Sequence, residues 1–194
     1  MRKLVEHPLP LWLVLALPGA VMLHAFATGA RDAMEMLHPT GEWSARFLIL
    51  ALSITPLMGL TGGALWVRWL AARRRWIGVA AFLYALAHLV FYLVDMGDID
   101  LVLGEALLLG IWTGWAAFFA MLAMALTSND AAMRVMKAGW KRVQRLAYPA
   151  AVLTLVHWLV VHDGFVSALV HAMPLVLLEL HRFYQTVRKV PRHA

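Results

Sequence analysis

Two histidines, His88 and His157, stand inside long apolar stretches of the sequence. Ionisable groups buried in a membrane are costly, and they usually mark functional sites. A neutral imidazole can bind a metal ion, or it can bond a backbone carbonyl on a neighbouring helix. Haem iron accepts two imidazoles as axial ligands. The residue types therefore allow haem binding, and they equally allow ordinary hydrogen bonds between helices.

The spacing predicts that both histidines lie at one depth. His88 follows Trp76 by twelve residues, and His157 follows Leu146 by eleven. At about 1.5 Å per residue, each imidazole lies roughly 17–18 Å from the inner end of its helix. The sequence thus favours His88 and His157 as a facing pair around haem iron. Zinc is disfavoured, because no HxxxH motif or carboxylate cluster supplies further ligands. Aromatic residues that suit a porphyrin stand nearby: Phe82, Tyr84, Phe91, Tyr92 and Trp158.

The composition indicates that the bilayer is the solvent of this chain. Of its 194 residues, 62% are hydrophobic, more than a soluble domain needs. The chain has no cysteine. This excludes disulfides, thiolate-bound zinc, iron–sulfur clusters and a cysteine nucleophile.

Six apolar runs predict an all-α integral membrane protein, built as a six-transmembrane-helix bundle in one domain over 1–194. A spanning helix needs about 20 largely apolar residues, and barrel strands would alternate polar and apolar residues. The first run has a basic start and an AFA sequence at 25–27, as a signal peptide does, but its length favours a retained helix. The predicted spans are approximately 11–29, 47–67, 76–94, 106–129, 146–162 and 164–181.

The distribution of charge predicts the orientation. Fifteen of the 17 Lys and Arg residues fall on the side of the N-terminus, and only Arg31 and Arg46 fall on the other. Cytoplasmic loops carry such an excess, so both termini are predicted to be cytoplasmic. The same pattern explains the net charge of +6 through anionic membrane lipid and without nucleic acid.

Several stretches in order resemble the MsrQ (YedZ) family, haem-binding membrane subunits within the ferric-reductase-like transmembrane group. They are HPTGEWSARFLILALSITPL at 38–57, RRRWIGVAAFLYALAH at 73–88, LTSNDAAMRVMKAGWKRVQRLAY at 126–148 and LVHW at 155–158. The resemblance covers about residues 38–160, and it rests on the ordered set of stretches.

The resemblance implies a b-type cytochrome of the bacterial inner membrane. Such a protein takes electrons from a quinol or a flavin reductase and passes them to a periplasmic molybdopterin methionine sulfoxide reductase. The chemistry on the substrate is then expected on that partner. The family's histidines of the third and fifth spans correspond to His88 and His157. Flavin mononucleotide (FMN) is a further possible cofactor by resemblance only.

One departure from the family concerns the inner side. The family has a histidine in a W-x-x-L-H pattern, where this chain has Trp140 followed by Gln144. An amide is a poor haem ligand, so one haem is expected rather than two. Arg74, Arg75 and Gln144 are possible contacts for a haem propionate, a flavin phosphate or a lipid phosphate. The two arginines can equally be part of the basic anchor on the inner side.

Two other functions stay open from the sequence. A stand-alone haem-containing ferric or quinone reductase needs the same histidine pair. A cofactor-free transport or assembly protein would use membrane-embedded acids, and Glu179 is the one candidate. The acidic outer residues either dock a basic patch on a partner or are ordinary solvated loops: Asp95, Asp98, Asp100 and Glu105.

Overall fold

The computed structural model describes residues 9–161 and 165–188, and within these ranges the chain forms only helices, turns and bends. Residues 1–8, 162–164 and 189–194, with the charges assigned to them above, lie outside the described residues. The helices are α1 (Leu9–Ala27), α2 (Ala33–Leu60), α3 (Leu65–Met96), α4 (Ile99–Glu105), α5 (Leu109–Leu126), α6 (Asp130–Met136), α7 (Ala138–Gln144), α8 (Ala147–Val161) and α9 (Phe165–Arg188).

Six helical segments in the described part are long and apolar enough to cross a membrane. They are α1, α2, α3, α5, the consecutive pair α7 and α8, and α9. The all-α, six-span membrane fold predicted from the apolar runs is confirmed. The short helices α4 and α6 lie in the connections between spans.

Helix α2 begins and ends earlier than its predicted span of 47–67. A capping box starts it: Asp32 accepts from the Glu35 backbone N–H, and the Glu35 side chain accepts from the Asp32 N–H. Such a box satisfies amide groups that the first turn leaves unpaired. After Leu60 the chain turns through Gly62 and Gly63, both with positive φ. The early start places 33–46, expected in an outer loop, inside a spanning helix.

The other helices also differ from the predicted spans at their ends. Helix α3 begins at Leu65, eleven residues before the predicted start at 76, so that the arginines at 68 and 73–75 lie within the helix. It ends at Gly97, which adopts the left-handed conformation typical of a helix C-terminus. Helix α9 continues to Arg188, past the predicted end at 181. The ends of α1, α5 and α8 differ by one to three residues.

Two pairs of packed helices position the two histidines. Helix α2 packs along α3 over the longest contact in the fold, and α5 packs along α8. Helix α2 also contacts α8 and α9, which joins the two pairs. The interior is filled by aliphatic side chains such as Met36, Leu52, Ile54 and Ile77, each at most 2% exposed. This packing holds α3 and α8, the helices of the two histidines, in place against α2 and α5.

Tyr84 fixes α1 against α3. Its hydroxyl donates to the Leu15 carbonyl at 2.9 Å and accepts from the Gly19 N–H at 2.6 Å. In a regular helix the Gly19 N–H would donate to the Leu15 carbonyl. Here the Tyr84 hydroxyl lies between these two groups, next to Pro18. Such insertions bend helices. Tyr84 lies one turn before His88, and this contact therefore restrains the rotation of α3 near the histidine.

Candidate functional site

The imidazoles of His88 and His157 face each other across the interior of the bundle. Their ring centroids are 5.9 Å apart, and the ring planes are nearly perpendicular at 86°. His88 comes from α3 and His157 from α8. The structure thus brings together the two histidines that the sequence predicted to lie at one depth.

A backbone carbonyl of α2 orients His88. The Nδ1 of His88 lies 2.9 Å from the Leu37 carbonyl oxygen. A carbonyl only accepts, so Nδ1 carries the proton and the lone pair is on Nε2. The Thr40 hydroxyl donates to the Met36 carbonyl at 2.6 Å and lies 3.0 Å from the Leu37 carbonyl oxygen, and its own oxygen is 3.4 Å from Nδ1. Below the ring lies Gly41, where a Cβ would come within 3.1 Å of Nδ1.

His157 is oriented in the same way by α5. Its Nδ1 lies 2.6 Å from the Gly110 carbonyl oxygen, which again assigns the proton to Nδ1 and the lone pair to Nε2. The Thr113 hydroxyl donates to the Leu109 carbonyl at 2.7 Å and lies 2.9 Å from the Gly110 carbonyl oxygen. A Cβ on Gly114 would come within 2.7 Å of the His157 Nδ1, closer than real Cβ contacts.

The two supports share one local pattern. In each, the accepting carbonyl is followed three residues later by a buried threonine and four residues later by the glycine under the ring. Sequence reasoning missed these Thr-Gly pairs at 40–41 and 113–114. The dipeptide is a weak signal, because it also occurs at 28–29 and 61–62, where the structure has helix ends.

Both histidines line a cavity that is partly open to the outside. Cofactor sites are typically clefts with apolar walls and few polar groups. The walls here are mostly apolar and aromatic, and include Tyr92, Trp115, Phe118, Met121 and Trp158. His38 and Glu42, which precede the predicted second span at 47–67, also line the cavity.

The donor set fits a haem with two axial imidazoles. With a metal–imidazole bond of about 2 Å and roughly 1 Å from nitrogen to ring centre, facing ligands have centroids about 6 Å apart. The observed separation is 5.9 Å. Both rings have the tautomer that leaves Nε2 as the metal-binding nitrogen, held by an Nδ1–H bond of the kind that orients metal-bound histidines. Within the described residues no group of three or more His, Asp and Glu side chains could hold a metal ion.

The three inner-side residues lie outside the cavity lining. Arg74 donates to the Thr55 hydroxyl at 2.7 Å. Gln144 donates to the Met124 carbonyl at 3.2 Å and to the Thr127 hydroxyl at 3.1 Å, near the end of α5. Arg74 precedes His88 by fourteen residues, a rise of about 21 Å along the helix. The structure therefore does not bring Arg74 or Gln144 together with the histidine pair.

Arg75 belongs to a different contact. Its guanidinium bonds the Asp130 carboxylate at 2.6 Å, and this links α3 to the first turn of α6. The hydrogen bond from Arg75, followed by its charge, lowers the pKa of Asp130 below its usual range. The Arg75 side chain is 36% exposed and that of Asp130 is 65% exposed, so the pair lies at the surface of the bundle and outside the cavity lining.

Comparison with known proteins identifies a family and close relatives. The family model described as ferric reductase like transmembrane component matches residues 40–155, which include His88 and end two residues before His157. A protein of Xanthomonas oryzae pv. oryzae (strain MAFF 311018) named protein-methionine-sulfoxide reductase heme-binding subunit MsrQ is 40% identical over 157 residues. The match covers 78% of this chain and 70% of that protein.

Two further relatives carry the same name. The protein of Xanthomonas euvesicatoria pv. vesicatoria is 39% identical, with the same coverage of both chains. The protein of Azospira oryzae is 32% identical over 201 residues, which covers 96% of this chain and 82% of that protein. No solved structure matches the chain.

Proposed function

Because this chain belongs to the ferric-reductase-like transmembrane family and, within it, to the MsrQ proteins, we propose that it is a b-type cytochrome subunit of the bacterial inner membrane. It passes electrons to a periplasmic methionine sulfoxide reductase catalytic subunit. The observation that carries the proposal is the facing pair of His88 and His157. In this account one haem is held by these two residues within a single transmembrane domain over 1–194.

The groups around the two histidines orient both rings for metal binding without the cofactor. The Leu37 and Gly110 carbonyls hold the Nδ1 protons, so both Nε2 lone pairs are set for metal binding. The glycines at 41 and 114 let the rings lie close to α2 and α5. A haem with two imidazole ligands supplies one-electron transfer without an open position for substrate. The bond chemistry on methionine sulfoxide then belongs to the partner.

The direction of electron flow follows from the proposed orientation. The first part of α3, the segment 130–145 and the end of α9 carry most of the basic residues in the described part, and by the positive-inside rule they face the cytoplasm. His88 then lies in the outer half of the membrane, which suits delivery to a periplasmic acceptor. A membrane quinol reaches this depth directly, whereas a cytosolic flavin reductase must deliver electrons across the inner half.

The outer face offers a surface for the partner. The last turn of α3, the loop after it and the short helix α4 carry four acids outside the packed core: Asp95, Asp98, Asp100 and Glu105. Opposite charge on a partner speeds encounter and fixes the orientation of docking. We therefore assign these acids to contact with a basic patch on the catalytic subunit, whose molybdopterin receives the electrons.

Reoxidation of the haem tests the function. The protein in lipid nanodiscs is reduced with a quinol under anaerobic conditions, and the catalytic subunit is added with methionine sulfoxide. Haem bands that fade at a rate proportional to the catalytic subunit support the proposal. Bands that persist while the same subunit reduces methionine sulfoxide with an artificial donor contradict it.

A second candidate is direct reduction of ferric iron or a quinone, favoured by the description of the family model. The same nanodiscs distinguish it without further preparation. Under this alternative, a ferric chelate or an oxidised quinone alone reoxidises the haem as fast as the complete system does. A rate that depends on the catalytic subunit excludes the alternative as the main function.

A further inference from the structure

Among the described residues that line the cavity, Glu42 is the one carboxylate. It stands on α2 next to Gly41, the residue beneath His88. Its side chain is 16% exposed. A carboxylate that is mostly shielded from water needs a partner of opposite charge. Removing an unpaired charge from water costs roughly several kcal/mol.

Arg46 is that partner, and it holds the carboxylate in place. Its Nη2 donates to Glu42 at 2.6 Å, while its Nε donates to the His171 ring at 3.1 Å. The guanidinium also lies over the Trp43 ring, 4.8 Å from the centroid. Arg46 itself is not among the residues lining the cavity. The negative end of the pair therefore faces the cavity, and the positive end faces the packing between α2 and α9.

His171 joins this network through both ring nitrogens. The Nδ1 of His171 donates to the Ser167 carbonyl at 2.7 Å, and its Nε2 accepts from Arg46. An imidazole that donates at one nitrogen and accepts at the other carries no charge. His171 also packs against Trp158, the residue after His157, at 5.3 Å between centroids. The network thus holds one carboxylate at the cavity, with the Nε2 of His171 at 3.5 Å and the Nδ1 of His38 at 3.8 Å from its two oxygens.

A fixed carboxylate beside the cavity changes the relative stability of the oxidised and reduced forms of iron bound there. Inside a protein the low dielectric strengthens such interactions, and net charge and burial are among the factors that set haem potentials. Oxidation adds one positive charge to the iron, so a nearby anion stabilises the oxidised form. We propose that Glu42 lowers the reduction potential of the centre held by His88 and His157. This inference rests on the proposed function.

Redox titration of the haem-loaded protein in nanodiscs tests the role of Glu42. Glu42→Gln keeps the shape and the hydrogen-bond acceptor but removes the charge, and an upward shift of the midpoint potential is expected with unchanged absorption bands. Glu179→Gln is the matched control, since Glu179 bonds Arg182 on α9, away from the cavity lining, and it should leave the potential unchanged. An E42Q potential at or below the wild-type value overturns the proposal.

A second variant covers the case in which Glu42→Gln alone disturbs folding by leaving Arg46 unpaired. The double variant Glu42→Gln/Arg46→Gln removes both charges, and an upward shift is still expected because the carboxylate is the charge that faces the cavity. Loss of haem from both variants also overturns the proposal, which assigns Glu42 an electrostatic and not a structural role. A colourless wild-type protein would instead refute the proposed function, so the two failures are distinguishable.

Discussion

Gly114 lies so close beneath His157 that a Cβ at that position would come within 2.7 Å of the imidazole Nδ1. The equivalent distance from Gly41 to the His88 Nδ1 is 3.1 Å. The positions of the two imidazole rings therefore depend on the glycines beneath them as well as on the carbonyls that accept from each Nδ1. This dependence makes the glycines direct probes of the site.

The substitution Gly114→Ala should displace His157 and remove most of the haem absorption. Added atoms in a packed interior cost about 1–3 kcal/mol, and here the nearest atoms are those of the ring. Gly41→Ala should cause a smaller loss, because its Cβ would meet His88 at a longer distance. Gly78→Ala on α3 is the control, with no atom within 4 Å of the new Cβ. The measurement is the reduced-minus-oxidised spectrum per mole of protein, and a wild-type spectrum from G114A would contradict the account of the ring supports.

The perpendicular rings predict a magnetic signature. The planes of His88 and His157 differ by 86°, and the two Nδ1–H bonds to carbonyls hold each ring in its orientation. A ferric haem with perpendicular axial imidazoles gives a strongly anisotropic low-spin signal, whereas parallel rings give a rhombic one. Electron paramagnetic resonance of the oxidised protein at liquid-helium temperature should show the anisotropic type. A rhombic spectrum would mean that the rings rotate when the cofactor binds.

The substitution Tyr84→Phe should destabilise the protein by about 1 kcal/mol, the typical net value of one hydrogen bond. The cost stays modest because the Gly19 N–H and the Leu15 carbonyl can bond each other once the hydroxyl is gone. Tyr184→Phe is the control at an exposed tyrosine. Thermal unfolding in nanodiscs measures the difference. Equal stability of the two variants would show that the hydroxyl within the α1 ladder contributes nothing.

The pair of Arg75 and Asp130 should make the attachment of α6 depend on pH. Because Arg75 lowers the pKa of Asp130 in the folded protein, the pair contributes stability above the ordinary Asp pKa of about 3.9. That contribution is lost as pH falls through the lowered folded value. Limited proteolysis near residues 128–137 should therefore increase in Arg75→Gln at neutral pH.

High salt offers an independent check on the same pair. Exposed ion pairs are screened by salt, so wild-type cleavage near 128–137 should rise towards that of Arg75→Gln. Arg134→Gln is the control, because Arg134 is only the smallest contributor to the lowered pKa of Asp130. Cleavage of wild type and Arg75→Gln at the same rate under all conditions would remove the pair as an attachment of α6.

Much of the fold could be predicted because hydrophobic length in a membrane protein is strongly constrained. The facing of His88 and His157 was predicted from the number of residues between each histidine and the start of its apolar run, although α3 begins eleven residues before the start used in that count. The start of α2 could not be obtained in this way. A capping box at Asp32 and Glu35 extends that helix through polar residues, which hydropathy alone assigns to a loop.

The contacts of Glu42 with Arg46 were not predicted from the sequence for the same reason. Arg46 precedes the predicted second span at 47–67, so its charge was counted only towards orientation and not towards the cavity. Their partner His171 is more than 120 residues away along the chain, and no local pattern joins them. Contacts of this kind depend on the packing of α9 against α2, which one sequence does not specify.

Haem stoichiometry in the purified protein and in two histidine variants tests the central claim most directly. The protein is expressed with ample haem, purified in detergent and assayed for haem per chain. The account predicts one haem per chain in the wild type, and loss of the haem bands in both His88→Ala and His157→Ala. A colourless wild type, or variants that keep a full complement of haem, would contradict the claim that these two imidazoles hold the cofactor.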